Sequence, residues 1–139
     1  MTEDILDLFN KYQEELKKDV NIDELNMKES ALTIATIKHK WAGRLMRHKM
    51  DLSRTERARD KAIANIINQL QKDSLVSLSI PTLRKQAESH EIIQNTDQII
   101  DNLKLIIEYL EKVEKIVNSM TWDMKNIIDI VKAETLWVF

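Results

Sequence analysis

The sequence predicts an all-α protein, built of long amphipathic helices with a C-terminal helical oligomerisation region. Three observations carry this reading. The 139 residues include one Gly and one Pro, too few for the many reversals of a sheet protein. Charged residues make up 32% of the chain, which fits solvated helix faces and argues against disorder. The apolar residues recur mostly at spacings of three and four.

The elements follow in order. Thr2 can cap a first helix, with Glu3 and Asp4 favourable in its first turn. Ile5, Leu8, Phe9, Tyr12 and Leu16 recur at helical spacing up to about Lys18. The stretch VNID, residues 20–23, lacks that period and reads as a short connection. From about Glu24 to Lys72 the helical pattern returns. Ser53 and Glu56 match a capping box that could start a new helix there. One long helix is the better reading, because the apolar stripe stays in phase across that seam. Ile34, Trp41, Leu45, Leu52, Ile63, Ile66 and Leu70 share one face. Lys40, Arg44, Arg47, Arg54, Arg57 and Lys61 gather on the opposite face, together with Gly43 and Ala58.

The stretch SLVSLSIPT, residues 74–82, breaks the helix. Val76, Leu78 and Ile80 alternate with Ser, so a short extended segment is expected. Pro81 suits a helix start, with Ser79 or Ile80 just outside it. That helix is expected to pause near Asn95, where Thr96 can cap the next. A boundary there divides what is expected to be a single compact domain into an N-terminal DNA-binding part, about 1–95, with the long basic-faced helix, and a C-terminal assembly region, about 96–139.

The last third is the most regular. Ile99, Leu103, Ile106, Leu110, Val113, Val117, Met120, Met124, Ile127 and Val131 alternate spacings of four and three, the 3.5-residue repeat of a coiled-coil seam. A cap at Ser119 or Thr121 could split it into two helices. Ile100, Ile107, Ile116, Ile128 and Ile130 flank the seam, making the apolar surface wider than one partner helix covers. The sequence ends LWVF, bulky residues that favour burial against another subunit. The candidate assembly residues are Leu110, Val113, Val117, Met120, Trp122, Met124, Ile127, Ile128, Val131, Leu136, Trp137 and Phe139.

Several chemistries find no support. Without Cys there is no disulfide framework and no thiolate metal site. His39, His48 and His90 lack metal-ligand spacing. No Gly-rich phosphate loop or nucleophile elbow occurs. Glu108, Glu111 and Glu114 read as a solvated face. The sequence therefore points to no catalysis, no metal and no cofactor. No run of about 18 apolar residues offers a membrane span, and the acidic N-terminus is not a signal peptide. A cytoplasmic location is the default expectation.

The charge distribution is more telling than the total. Residues 38–61 carry nine basic side chains against Asp51, Glu56 and Asp60, a local charge of +6 in a chain of −2. A charged helix face is often only a solvated face. Here the sign is nearly uniform over roughly 30 Å of helix. Arginine, which grips phosphate with a bidentate fork, is preferred. Gly43 would let another backbone approach. The candidate DNA-binding residues are Lys40, Arg44, Arg47, Arg54, Arg57, Arg59 and Lys61. Aromatic residues make up only 5% of the chain, and Trp41 lies on the apolar face, where it reads as core and not as a stacking platform. Any nucleic-acid binding would thus track the backbone of the strand. Two other readings stay open at this point: a structural or adaptor protein binding an acidic partner, and a protein lying on an anionic membrane surface through the same face. The second needs large apolar residues beside the basic arc, and only Met46 and Met50 stand there.

Two further stretches give a resemblance. EELKKDVNID, from Glu14 to Asp23, is followed some fifteen residues on by KHKW, ending at Trp41. Near the C-terminus stands VNSMTWDMKNIIDIVKAE, an aromatic followed by Lys125 and a pair of isoleucines. In that order, over about half of a chain of this length, they resemble the UvsY family, recombination mediators of large myophages. EELKKDV matches closely, the C-terminal likeness is one of pattern, and the middle of the chain adds nothing. The resemblance implies a small non-enzymatic helical protein that closes into a ring of roughly six or seven copies. It implies binding to single-stranded DNA, and work alongside a UvsX-like phage recombinase and a phage single-strand binding protein in the host cytoplasm. The best-known members carry a Leu-Lys-Ala-Arg-Leu stretch downstream of the tryptophan. Its counterpart here is Ile63, Ala64, Asn65, Ile66 and Ile67, without charge. Any DNA contact must then rest on Arg54, Arg57, Arg59 and Lys61 and on the group from Lys40 to Arg47.

Overall fold

The computed structural model describes residues 3–22 and 27–138, with the side chains of Glu3, Trp137 and Val138 left aside. The Thr2 cap, the helix start at Glu24, and the roles of Trp137 and Phe139 lie outside the described residues. Five helices follow one another: α1 (Glu3–Asp19), α2 (Met27–Asp73), α3 (Ile80–Glu88), α4 (Glu91–Asn118) and α5 (Met120–Val138). No strand occurs among the described residues, and none of their helices is long and apolar enough to cross a membrane. The chain forms two compact units, Met1–Met46 with Ile106–Phe139, and Arg47–Leu105.

The first unit is held by aromatic and aliphatic packing. Tyr12 and Leu16 of α1 are buried, as are Trp41 and Leu45 of α2. Tyr12 meets Trp41 edge to face at 5.6 Å, and Phe9 meets Tyr109 of α4 at 4.8 Å. Such pairs add about 0.5–1.5 kcal/mol each beyond their buried area. Ile106, Leu110, Val113, Val117, Met120 and Met124 are buried in the same unit. Their spacing of four and three runs on through Ser119, where α4 gives way to α5. The interruption is slight. The Ser119 amide donates to the carbonyls of Lys115 and Ile116, its hydroxyl donates to Ile116, and the Asp123 amide donates to Ser119. The expected split therefore falls at Ser119. Thr121 lies inside α5, where its hydroxyl accepts from Lys38.

The second unit packs Ile63, Ala87 and Ile93, with Ala62, Ile66 and Ile67 against them. Leu83 is also buried. α2 runs unbroken through Ser53, because the apolar stripe keeps its phase and outweighs a local cap signal. Residues 74–79 carry no helix and no strand. Ser79 then caps α3, accepting from the Thr82 amide, with Pro81 in the first turn.

Two expectations about α4 need correction. The pause comes at Ser89 and His90, not near Asn95. Ser89 ends α3, and the His90 Nδ1 accepts from the Ile92 amide at 3.1 Å, as a cap does. Thr96 sits within α4, its hydroxyl donating to the Ile92 carbonyl. At the start of the heptad pattern, Ile100 and not Ile99 is buried. Ile93, Ile100 and Ile107, seven apart, form the inner row there.

Candidate nucleic-acid interface

In the first unit the basic group is already engaged. Lys40 and Arg44 stand one turn apart on α2, and Glu15 and Asp19 stand one turn apart on α1. The two ladders match. Lys40 Nζ lies 2.5 Å from Asp19 Oδ2 and 3.9 Å from Glu15 Oε2. Arg44 grips both carboxylate oxygens of Glu15, its second nitrogen at 3.1 Å. Asp19 Oδ2 also accepts from the Trp41 indole at 2.8 Å. The Arg44 guanidinium lies 5.0 Å from the centre of Tyr12 and 4.9 Å from that of Trp41. Trp41 is 1% exposed, a core residue as its face suggested. The indole polar edge finds a carboxylate, as a buried Trp requires. Gly43 lies between these cations with nothing within 4 Å of where a Cβ would be.

In the second unit the arrangement differs. Arg47, Arg54, Arg57 and Lys61 are exposed on α2 at spacings of seven, three and four, one stripe about 21 Å long. Among the described residues Arg54 makes only a long contact to Asp51 on its own helix, at 3.6 Å. Arg47, Arg57 and Lys61 make no ion pair among the described residues. Arg59 points elsewhere. Its Nε donates to Asp97 Oδ1 at 2.5 Å and its fork closes on Oδ2 at 3.3 Å. The hydrogen bond to Asp97 holds its guanidinium pKa above the ordinary value. Beside it lies a groove of about 440 Å³ lined by Glu56, Asp60, Asp97, Asp101 and Lys104. That groove is predominantly acidic, so it repels phosphate.

The seven DNA-binding candidates thus fall into two classes. Lys40, Arg44 and Arg59 are answered by carboxylates of the chain itself. Arg47, Arg54, Arg57 and Lys61 face water with their charge largely unanswered. The sequence reading missed Glu15, Asp19 and Asp97. For the first two a signal existed, since their spacing of four equals that of Lys40 and Arg44.

The assembly candidates also divide. Leu110, Val113, Val117, Met120 and Met124 are buried within the chain. Ile127, Ile128 and Val131 are half-buried. Trp122 and Leu136 are exposed at 62% and 75%, as is Ile130 at 58%. Lys125 lies over the Trp122 ring at 5.5 Å. No group of His, Cys or acidic residues that could hold a metal ion occurs among the described residues.

No protein-family description matches the sequence, and no curated protein matches it. Solved structures do. Crystal structures of the bacteriophage T4 recombination mediator protein UvsY match in several lattice types. Lattice type IV gives a TM-score of 0.76 at 18% identity, covering 90% of this chain and 97% of that one. Type II gives 0.74 at 19% identity over 91% and 96%. Type I gives 0.72 at 19% identity over 88% and 97%. The match spans nearly the full length of both chains, so this all-helical chain has the fold of the phage T4 mediator UvsY.

Proposed function

We propose that this chain is a single-stranded DNA-binding recombination mediator. It helps load a phage recombinase onto DNA coated by a single-strand binding protein. One observation carries the reading: a chain with the fold of a recombination mediator presents an open stripe of Arg47, Arg54, Arg57 and Lys61. Arginine forks at this spacing suit the backbone of a strand and ignore its bases. The work is done by a scaffold with no reaction of its own, in the host cytoplasm.

Self-assembly into a closed ring completes the proposal. One stripe of four cations binds weakly. Several copies held together raise the effective concentration and hence the avidity. The exposed Trp122, Ile130 and Leu136 of α5, with the half-buried Ile127, Ile128 and Val131, supply the apolar surface for the contact. Wrapping a strand on such a ring imposes a shape that the coating protein tolerates poorly and the recombinase can use.

Binding to oligo(dT) across a salt series tests the DNA part. Affinity should fall with salt and be indifferent to base sequence. Tight binding that ignores salt would sink the stripe as the site.

A further inference from the structure

The four side chains joining α1 to α2 invite a reading beyond anchorage. Lys40, Arg44 and their partners are part-buried and still reach water: the side chains of Arg44, Lys40, Glu15 and Asp19 keep 21%, 32%, 32% and 17% of their surface exposed. Ion pairs that keep this contact with water are partly screened, so each gains only modest net stability. The apolar contacts of α1 do not depend on them, because Tyr12 and Leu16 are buried and Phe9 packs on Tyr109. Glu15 could therefore release Arg44, and Asp19 could release Lys40 while still accepting from the Trp41 indole, with α1 still seated.

What they hold is a preformed anion site. The Arg44 fork is fixed in orientation by the faces of Tyr12 and Trp41, and the Lys40 ammonium lies 5.3 Å from the Trp41 ring centre. Glu15 meets the fork with two oxygens, the geometry a phosphate would adopt. Asp19 meets the ammonium with one. We infer that Glu15 and Asp19 mask Lys40 and Arg44 as phosphate mimics, so that this latent site opens to a nucleic-acid backbone only when phosphates displace the two carboxylates. The inference rests on the DNA-binding reading above and deepens it. The resting protein binds through its open cations, and the masked pair sets how strongly.

Removing the two negative charges tests this. Glu15→Gln with Asp19→Asn keeps an oxygen for Arg44 and for the Trp41 indole, so the packing survives; far-ultraviolet circular dichroism checks it. A second double variant, Asp7→Asn with Glu14→Gln, makes the same change in net charge at exposed positions of α1 that form no ion pair among the described residues. Each unmasked contact should add about 0.7 to the salt slope on single-stranded DNA. Taking 1 M salt as reference, the Glu15, Asp19 variant should bind oligo(dT) about 25-fold tighter at 0.1 M, with a slope steeper by about 1.4. The single Glu15→Gln change should give about 5-fold. The Asp7, Glu14 variant should stay near wild type. Equal affinity and slope for both double variants would overturn the mask while leaving the DNA reading intact. A wild-type chain with no salt-dependent binding at all would overturn the DNA reading and the mask together.

Discussion

Arg54 and Arg57 stand about one turn apart on an exposed helix face, and among the described residues their one ion contact is the long one from Arg54 to Asp51. Changing both to Ala should leave the helical content untouched and flatten the salt slope for single-stranded DNA by about 1.4, a loss of about 25-fold at 0.1 M salt against a 1 M reference. Oligo(dT) titrations at several salt concentrations read this, and an unchanged slope would place the strand elsewhere. Gly43 offers a second test at this scale. It sits inside α2 with open space around it, so nothing within the chain requires a glycine. Gly43→Ala should stabilise the protein by about 1 kcal/mol, seen as a higher midpoint of thermal unfolding. A lower midpoint would show that the backbone there is under a constraint invisible in one chain. Residue types on the basic face were legible in the sequence, because a helical wheel needs only the period. Their availability was not. Arg59 meets Asp97 from 38 positions away, and no local pattern announces such a pair.

At the scale of elements, the long helices were legible and the short joints less so. A stripe from Ile34 to Leu70 that keeps one phase leaves few alternatives to a helix. The joint between α3 and α4 was misplaced because its cap is an imidazole. His90 accepts from the Ile92 amide, and histidine is not among the residues that usually mark a helix start. Thr96 looked like such a mark, yet a threonine hydroxyl can equally bond back to the carbonyl four residues earlier. For the start of α3 the sequence leaves Ser79 and Ile80 open before Pro81, and the structure has Ser79 as the cap with Ile80 already helical. Ser79→Ala should lower the stability of the chain by about 1 kcal/mol, measured by chemical denaturation. The same change should not touch DNA affinity, because α3 presents none of the stripe. The 3.5-residue repeat reads as a coiled-coil seam whose residues are assembly candidates. In the folded chain its middle, from Ile106 to Met124, is buried within the chain. Periodicity tells that a face is covered and is silent on whose helix covers it.

For the whole molecule, assembly and mediation belong together. Cutting the chain at Thr121 would remove Met124 from the core of the first unit, so a gentler variant is preferable. Trp122, Ile130 and Leu136 are exposed in the single chain, and changing all three to Glu should spare the fold. Sedimentation should then show smaller species than wild type, with weaker binding to single-stranded DNA even though the stripe is intact. Full-size assemblies from that variant would remove α5 from the contact. Binding and assembly alone, however, describe any architectural DNA-binding protein. Mediation is read most directly as the lag in ATP hydrolysis by a phage recombinase on DNA coated with a phage single-strand binding protein. Adding this protein should shorten the lag, with a small effect on naked DNA, and the Arg54→Ala, Arg57→Ala variant should lose the effect in proportion to its lost affinity. A chain that binds the DNA tightly and leaves the lag on coated DNA unchanged would not be a mediator.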